Sequence, residues 1–77
     1  MEQGIKASKI LGDNIGKYRA LKKLTQDQLA ARMQSNGCDI SRGTLAKIEA
    51  GIRHLSVNEL EAIRAFLGME YADFFRK

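Results

Sequence analysis

The chain has 77 residues, enough for one domain with a small core and too few for a second, ligand-sensing domain beside it. A single cysteine and a single histidine exclude an internal disulfide and cannot complete a zinc site within one chain, so no metal or cofactor is expected. Thirteen Lys and Arg against nine Asp and Glu leave a net charge of +4, a mild bias toward a polyanionic partner. No charged start leads into an apolar leader, and no run approaches the ~20 apolar residues of a membrane span. The expected compartment is the cytoplasm, with no membrane partner. No nucleophile–base pair, paired carboxylates or phosphate loop is visible, so an enzyme is not expected.

Taken in order, Met1 to Ser8 has no apolar period and is broken by Gly4; residues 1–9 read as a loose arm ahead of a domain at 10–77. From about Ile10 to Lys23, Leu11, Ile15, Tyr18 and Leu21 step by three and four, which predicts a first helix buried on that face. Gly12 and Gly16 weaken it by ~1 kcal/mol each relative to alanine, so packing must hold it. Thr25 and Gln28 form a capping box, flanked by Leu24 and Leu29 as a hydrophobic staple, and open a second helix from Gln26 to Met33 or Ser35. Between Met33 and Ile40 stand six residues, QSNGCD. Either the second helix runs on and turns at Asn36-Gly37, or the turn is an enlarged loop.

A third helix is predicted over Arg42 to Ala50, capped by Ser41, stapled by Ile40 and Leu45, and stopped by Gly51. Leu45 and Ile48 mark its buried side, and Gly43, Ala46, Lys47 and Ala50 gather on the opposite side with Arg42 at the edge. An ordinary solvated face carries long charged side chains, whereas three of these residues have almost none. Small residues let a backbone sit close to another surface; a DNA groove floor fits, and a helix–helix contact is the alternative. Two capped helices with a turn between them, the second presenting Arg42 and Lys47, have the layout of a DNA-reading helix-turn-helix. Arg42 suits a bidentate contact to guanine, Lys47 guanine or phosphate, Ala46 a thymine methyl, and Ser41 and Thr44 offer hydroxyls to base or phosphate. Gln26, at a helix start, can donate to phosphate, as can Arg53 in the connection that follows. Ser56 and Glu59 form another capping box, so a fourth helix begins at Val57, buries Leu60, Ile63 and Leu67, and ends at Gly68. Glu70 to Phe75 reads as a short fifth helix that places Tyr71, Phe74 and Phe75 in the core or at an exposed seam.

Leu24-Thr25-Gln26, Leu29-Ala30, Ile40-Ser41, Thr44-Leu45, Ile48-Glu49, Gly51 and Arg53, followed by Ser56, Leu60 and Leu67, resemble the signature of the Cro/phage-repressor (xenobiotic-response-element) helix-turn-helix family. The resemblance implies an all-α, compact five-helix bundle of the lambda-repressor-like type. It implies a structural ion pair between Glu49 and Arg19, and base reading at the position of Gly43, where the missing side chain loosens the code. It also strengthens the phosphate role of Gln26 and implies a homodimer on a two-fold-symmetric operator. The expected function is a sequence-specific regulator of transcription on double-stranded DNA, a repressor. The rival is an antitoxin or other protein-interaction module of the same fold, with a protein partner.

Overall fold

The computed structural model describes residues 5, 6 and 8–77. The expected arm at 1–4 and 7 lies outside the described residues. The elements are α1 (Lys9–Leu21), α2 (Gln26–Ser35), α3 (Arg42–Glu49) and α4 (Val57–Leu67), followed by a 3-10 turn at Tyr71–Phe75. The count of five helices is therefore corrected to four and a 3-10 turn. Only six residues remain from Glu70 to Phe75, too few to offset the cost of nucleating an α-helix. The turn is held from outside itself. Asn14 on α1 donates to the carbonyls of Phe74 (3.0 Å) and Arg76 (2.8 Å), and the Glu70 amide donates to Asp73 (2.8 Å).

Side-chain caps start each α-helix. Ser8, Thr25, Ser41 and Ser56 accept from the amides of Leu11, Gln28, Thr44 and Glu59, each satisfying an amide that lacks an intrahelical partner. Ser8 moves the start of α1 to Lys9, inside the segment read as an arm. Ile5 also joins the body: it bridges Leu55 in antiparallel sense and packs against the core. An isolated Ser eight residues into an aperiodic stretch gave no cue to either contact.

The helix ends share one device. Lys23, Gly37, Gly51 and Gly68 are left-handed, at φ 59, 87, 78 and 65°. After α1, Leu24 and Lys23 donate to the carbonyls of Arg19 and Ala20; after α2, Cys38 and Gly37 donate to Met33 and Gln34; after α3, Ile52 and Gly51 donate to Lys47 and Ile48. These are the paired bonds of the Schellman stop. At α2 they decide the long-turn question: the helix runs to Ser35 and turns at Asn36-Gly37. At α1 the stop is a lysine, without the glycine cue. It ends the helix at Leu21, which is 68% exposed rather than on the buried face expected for it. Leu24, swung back by the turn, is half-buried against the core instead.

The core joins Leu11 and Ile15 of α1, Leu29 and Met33 of α2, Leu45 and Ile48 of α3, and Leu60, Ile63 and Leu67 of α4, with Met69 and Phe74 closing one end. Fully burying one such aliphatic side chain contributes about 1.5–3 kcal/mol. Tyr71 and Phe75 remain outside, more than half exposed.

Candidate nucleic-acid interface

The position of α3 is fixed from behind by α1. A Cβ placed on Gly12 would lie 2.3 Å from the Glu49 carbonyl oxygen and 2.6 Å from that of Ile48, so the two backbones are in direct contact. The helix-weakening glycine is thus required by the crossing. Gly16, one turn on, leaves room for the Glu49 carboxylate, whose Oε1 would be 3.2 Å from an added Cβ.

Into that gap reaches Arg19. Its Nε donates to Glu49 Oε2 at 2.8 Å, its Nη2 to Glu49 Oε1 at 3.0 Å, and its Nη1 to the Leu24 carbonyl at 2.8 Å. The side chains are only 19% and 10% exposed, and the bidentate fork satisfies both carboxylate oxygens. Hydrogen bonding to Glu49 pushes the Arg19 pKa up, against the lowering effect of burial. Gln26, at the start of α2, donates from Nε2 to the same Glu49 Oε1 at 3.1 Å. One carboxylate therefore ties α1, α2 and α3 together. The Gln26 side chain, read from the sequence as a free phosphate donor, has one amide hydrogen committed inside the protein and one left over.

The other side of α3 faces outward. Arg42, Gly43 and Lys47 are exposed, while Thr44 and Ala46 are half-buried. Ser41 is occupied as expected for a cap: its Oγ accepts from the Thr44 amide and donates to Thr44 Oγ1, each at 3.1 Å. Thr44 and Ser41 thus bond each other, and neither hydroxyl projects as an independent arm. Arg42 Nε lies 4.0 Å from Asp27 on α2, in a pair exposed on both sides and worth little by itself. Among the described residues, nothing packed around Gly43 requires it to lack a side chain. An added Cβ would approach only Ser41 Oγ, at 3.8 Å.

The connection after α3 turns at Gly51 and presents Arg53, whose Nη1 donates to Glu59 Oε1 at 3.0 Å and to the His54 carbonyl at 2.8 Å. Arg53, expected from the sequence to be open to phosphate, is thus anchored inside the protein through one of its nitrogens. Glu59 was visible only as the partner of Ser56, six residues beyond the arginine and in no helical register with it.

On the side of α4, a cleft of about 350 Å³ lies between the 36–39 turn and the start of that helix, and its ionisable lining side chains are Cys38, Asp39 and Glu59. Burial, and then Glu59 and Asp39, push the Cys38 thiol up, which keeps it protonated and poorly nucleophilic at neutral pH. The cleft carries two carboxylates, of which Glu59 is paired with Arg53, in contrast to the cationic outer face of α3. Among the described residues no cluster of three or more His, Cys, Asp or Glu is arranged to hold a metal ion, and no helix is long and apolar enough to cross a membrane.

A search of curated proteins finds no matching relative. A helix-turn-helix family model matches residues 15–74, from the middle of α1 to the 3-10 turn, and so includes both capped helices and the Arg19–Glu49 tie. The chain belongs to the Cro/phage-repressor (xenobiotic-response-element) helix-turn-helix family of DNA-binding regulators.

Proposed function

We propose that the protein is a sequence-specific regulator of transcription, a repressor acting in the cytoplasm, that reads double-stranded DNA with α3 in the major groove. The observation that carries this reading is the outer face of α3: Arg42 and Lys47 are exposed on either side of Gly43, where an added Cβ meets no closer neighbour than Ser41 Oγ at 3.8 Å. A backbone bare for no internal reason, set between two cations, suits close approach to a polyanionic groove. Arg42 addresses guanine through its paired nitrogens, Lys47 guanine or phosphate, and Ala46 and Thr44 add short contacts at the edge. The remaining Gln26 amide hydrogen and Arg53 face the backbone, and Ser41 joins them only by releasing its bond to Thr44. Arg19 and Glu49 hold the reading helix and do not read.

Two copies related by a two-fold axis would meet half-sites ~34–36 Å apart. Apolar surface for such a homodimer is available at Tyr71 and Phe75. The same exposed aromatics favour, as a second reading, a protein partner of the kind an antitoxin grips. Sedimentation at micromolar concentration separates the two: a dimer supports the operator reading, and a monomer that pairs only with another protein supports the second.

The direct test is selection of duplexes from a random pool by the purified protein at physiological salt. Enrichment of a two-fold-symmetric site is expected. Salt-sensitive capture without enrichment would mean that the basic surface meets phosphates alone, and would overturn sequence-specific reading.

A further inference from the structure

Arg53 and Glu59 form an arrangement that neither the capping role of Glu59 nor a simple phosphate role of Arg53 accounts for. Glu59 is 8% exposed, and its Oε1 accepts from two donors, the Ser56 amide at 2.8 Å and Arg53 Nη1 at 3.0 Å. The first bond closes the capping box of α4. The second reaches out to the connection behind the reading helix. Nη1 of Arg53 carries two hydrogens, and both are used, one on Glu59 and one on the His54 carbonyl at 2.8 Å. The Nε–Nη2 edge of the same guanidinium has no bond to a described residue, and the Arg53 side chain is 40% exposed. That edge is the one whose two parallel N–H groups match a pair of oxygens on a phosphate.

We infer that Glu59 is a positioning residue for DNA-backbone binding: it clamps one corner of the Arg53 guanidinium and so presents the opposite edge, already oriented, to a phosphate. The inference rests on the DNA-binding reading above. A long arginine that is held before the encounter loses less rotameric freedom on binding than one that is free, and the clamp is built from the same carboxylate that starts α4. The arrangement has an electrostatic cost, since a buried carboxylate beside the arginine reduces the net charge offered to the DNA. The two effects have opposite signs, and an experiment can decide between them.

The experiment is a double-mutant cycle on binding to a duplex recovered by selection, with Glu59→Gln, Arg53→Ala and the pair together. Glutamine at this position retains a capping box through its amide oxygen but replaces the charge-assisted bond to Arg53 with a weaker neutral one, and the melting temperature of each variant reports that the fold is kept. Positioning predicts that E59Q weakens binding by roughly threefold to tenfold when Arg53 is present, and has no effect once Arg53 is alanine. If E59Q tightened binding, the carboxylate would be acting only as an opposing charge, and the inference would be overturned. Equal losses with and without Arg53 would reduce Glu59 to a structural cap and overturn it too.

A second variant tests the fork independently of Glu59. Arg53→Lys keeps the charge but has no second edge to offer when its ammonium sits on Glu59, so it should bind nearly as weakly as R53A. Wild-type affinity in R53K would contradict the clamp. Absence of salt-dependent duplex binding by the wild-type protein would instead remove the DNA reading itself, and this inference with it.

Discussion

Gly12 and Gly43 are both glycines within helices, and only the first is required by the packing around it. At Gly12 an added methyl would sit 2.3 Å from the Glu49 carbonyl oxygen, so the crossing of α1 over α3 exists only because the side chain is missing. At Gly43 the space is open and the helix would be better served by alanine. The first glycine belongs to the fold. The second meets no described neighbour that excludes a side chain, which makes the face around it the place to look for a partner. The same contrast separates two arginines of the chain: Arg19 has its fork used inside the protein, while Arg42 stands exposed beside a loose 4.0 Å contact to Asp27.

Substitutions on the two sides should therefore behave differently. The largest effect is expected for Glu49→Ala, which strands Arg19 and removes the acceptor of Gln26; loss of one partner from such a pair costs about 3–5 kcal/mol. The thermal midpoint should fall by more than about 10 °C, and calorimetry would show it. A change within a degree or two would mean that the tie does not hold α3. Next comes Gly12→Ala, where backbone must shift to admit the methyl, at about 1–3 kcal/mol; denaturant titration should show a lower midpoint with an unchanged slope. Gly43→Ala is the opposite case. It should raise stability by up to about 1 kcal/mol while weakening capture of a selected duplex. A variant that binds as well as the wild type would show that the α3 backbone does not approach the groove floor. The smallest change expected is at the end of α1, where Lys23 is left-handed at φ 59°. Lys23→Gly should stabilise by less than about 1 kcal/mol, seen as a small rise in the thermal midpoint with no effect on DNA.

Legibility in the sequence followed the range of the interaction. The capping boxes at Thr25 and Ser56, the cap at Ser41 and the stops at Gly51 and Gly68 lie within a few residues of one another, and each could be read directly. So could the inward faces of α2, α3 and α4, because a helical period repeats. What was hidden depends on contacts distant in sequence or on an uncommon residue in a familiar role. Lys23 does the work of a glycine and so threw Leu21 outward. Ile5 meets Leu55 across fifty positions, and Asn14 holds the C-terminal turn from the far side of α1. At the candidate interface, the outward placement of Arg42, Gly43 and Lys47 was visible from spacing because an outer face is the complement of a buried one. The commitment of Gln26 to Glu49 and of Arg53 to Glu59 was not, since neither pair shares an element or a period.

The measurement that bears most directly on the central claim is a titration of a selected duplex into ¹⁵N-labelled protein, followed residue by residue. The largest shifts are predicted at the amides of Arg42, Gly43 and Lys47 and at the side-chain amide of Gln26, with the Leu45 and Ile48 face little changed. Shifts gathered instead at Tyr71 and Phe75, or around the acidic cleft at Asp39 and Glu59, with α3 silent, would contradict the account.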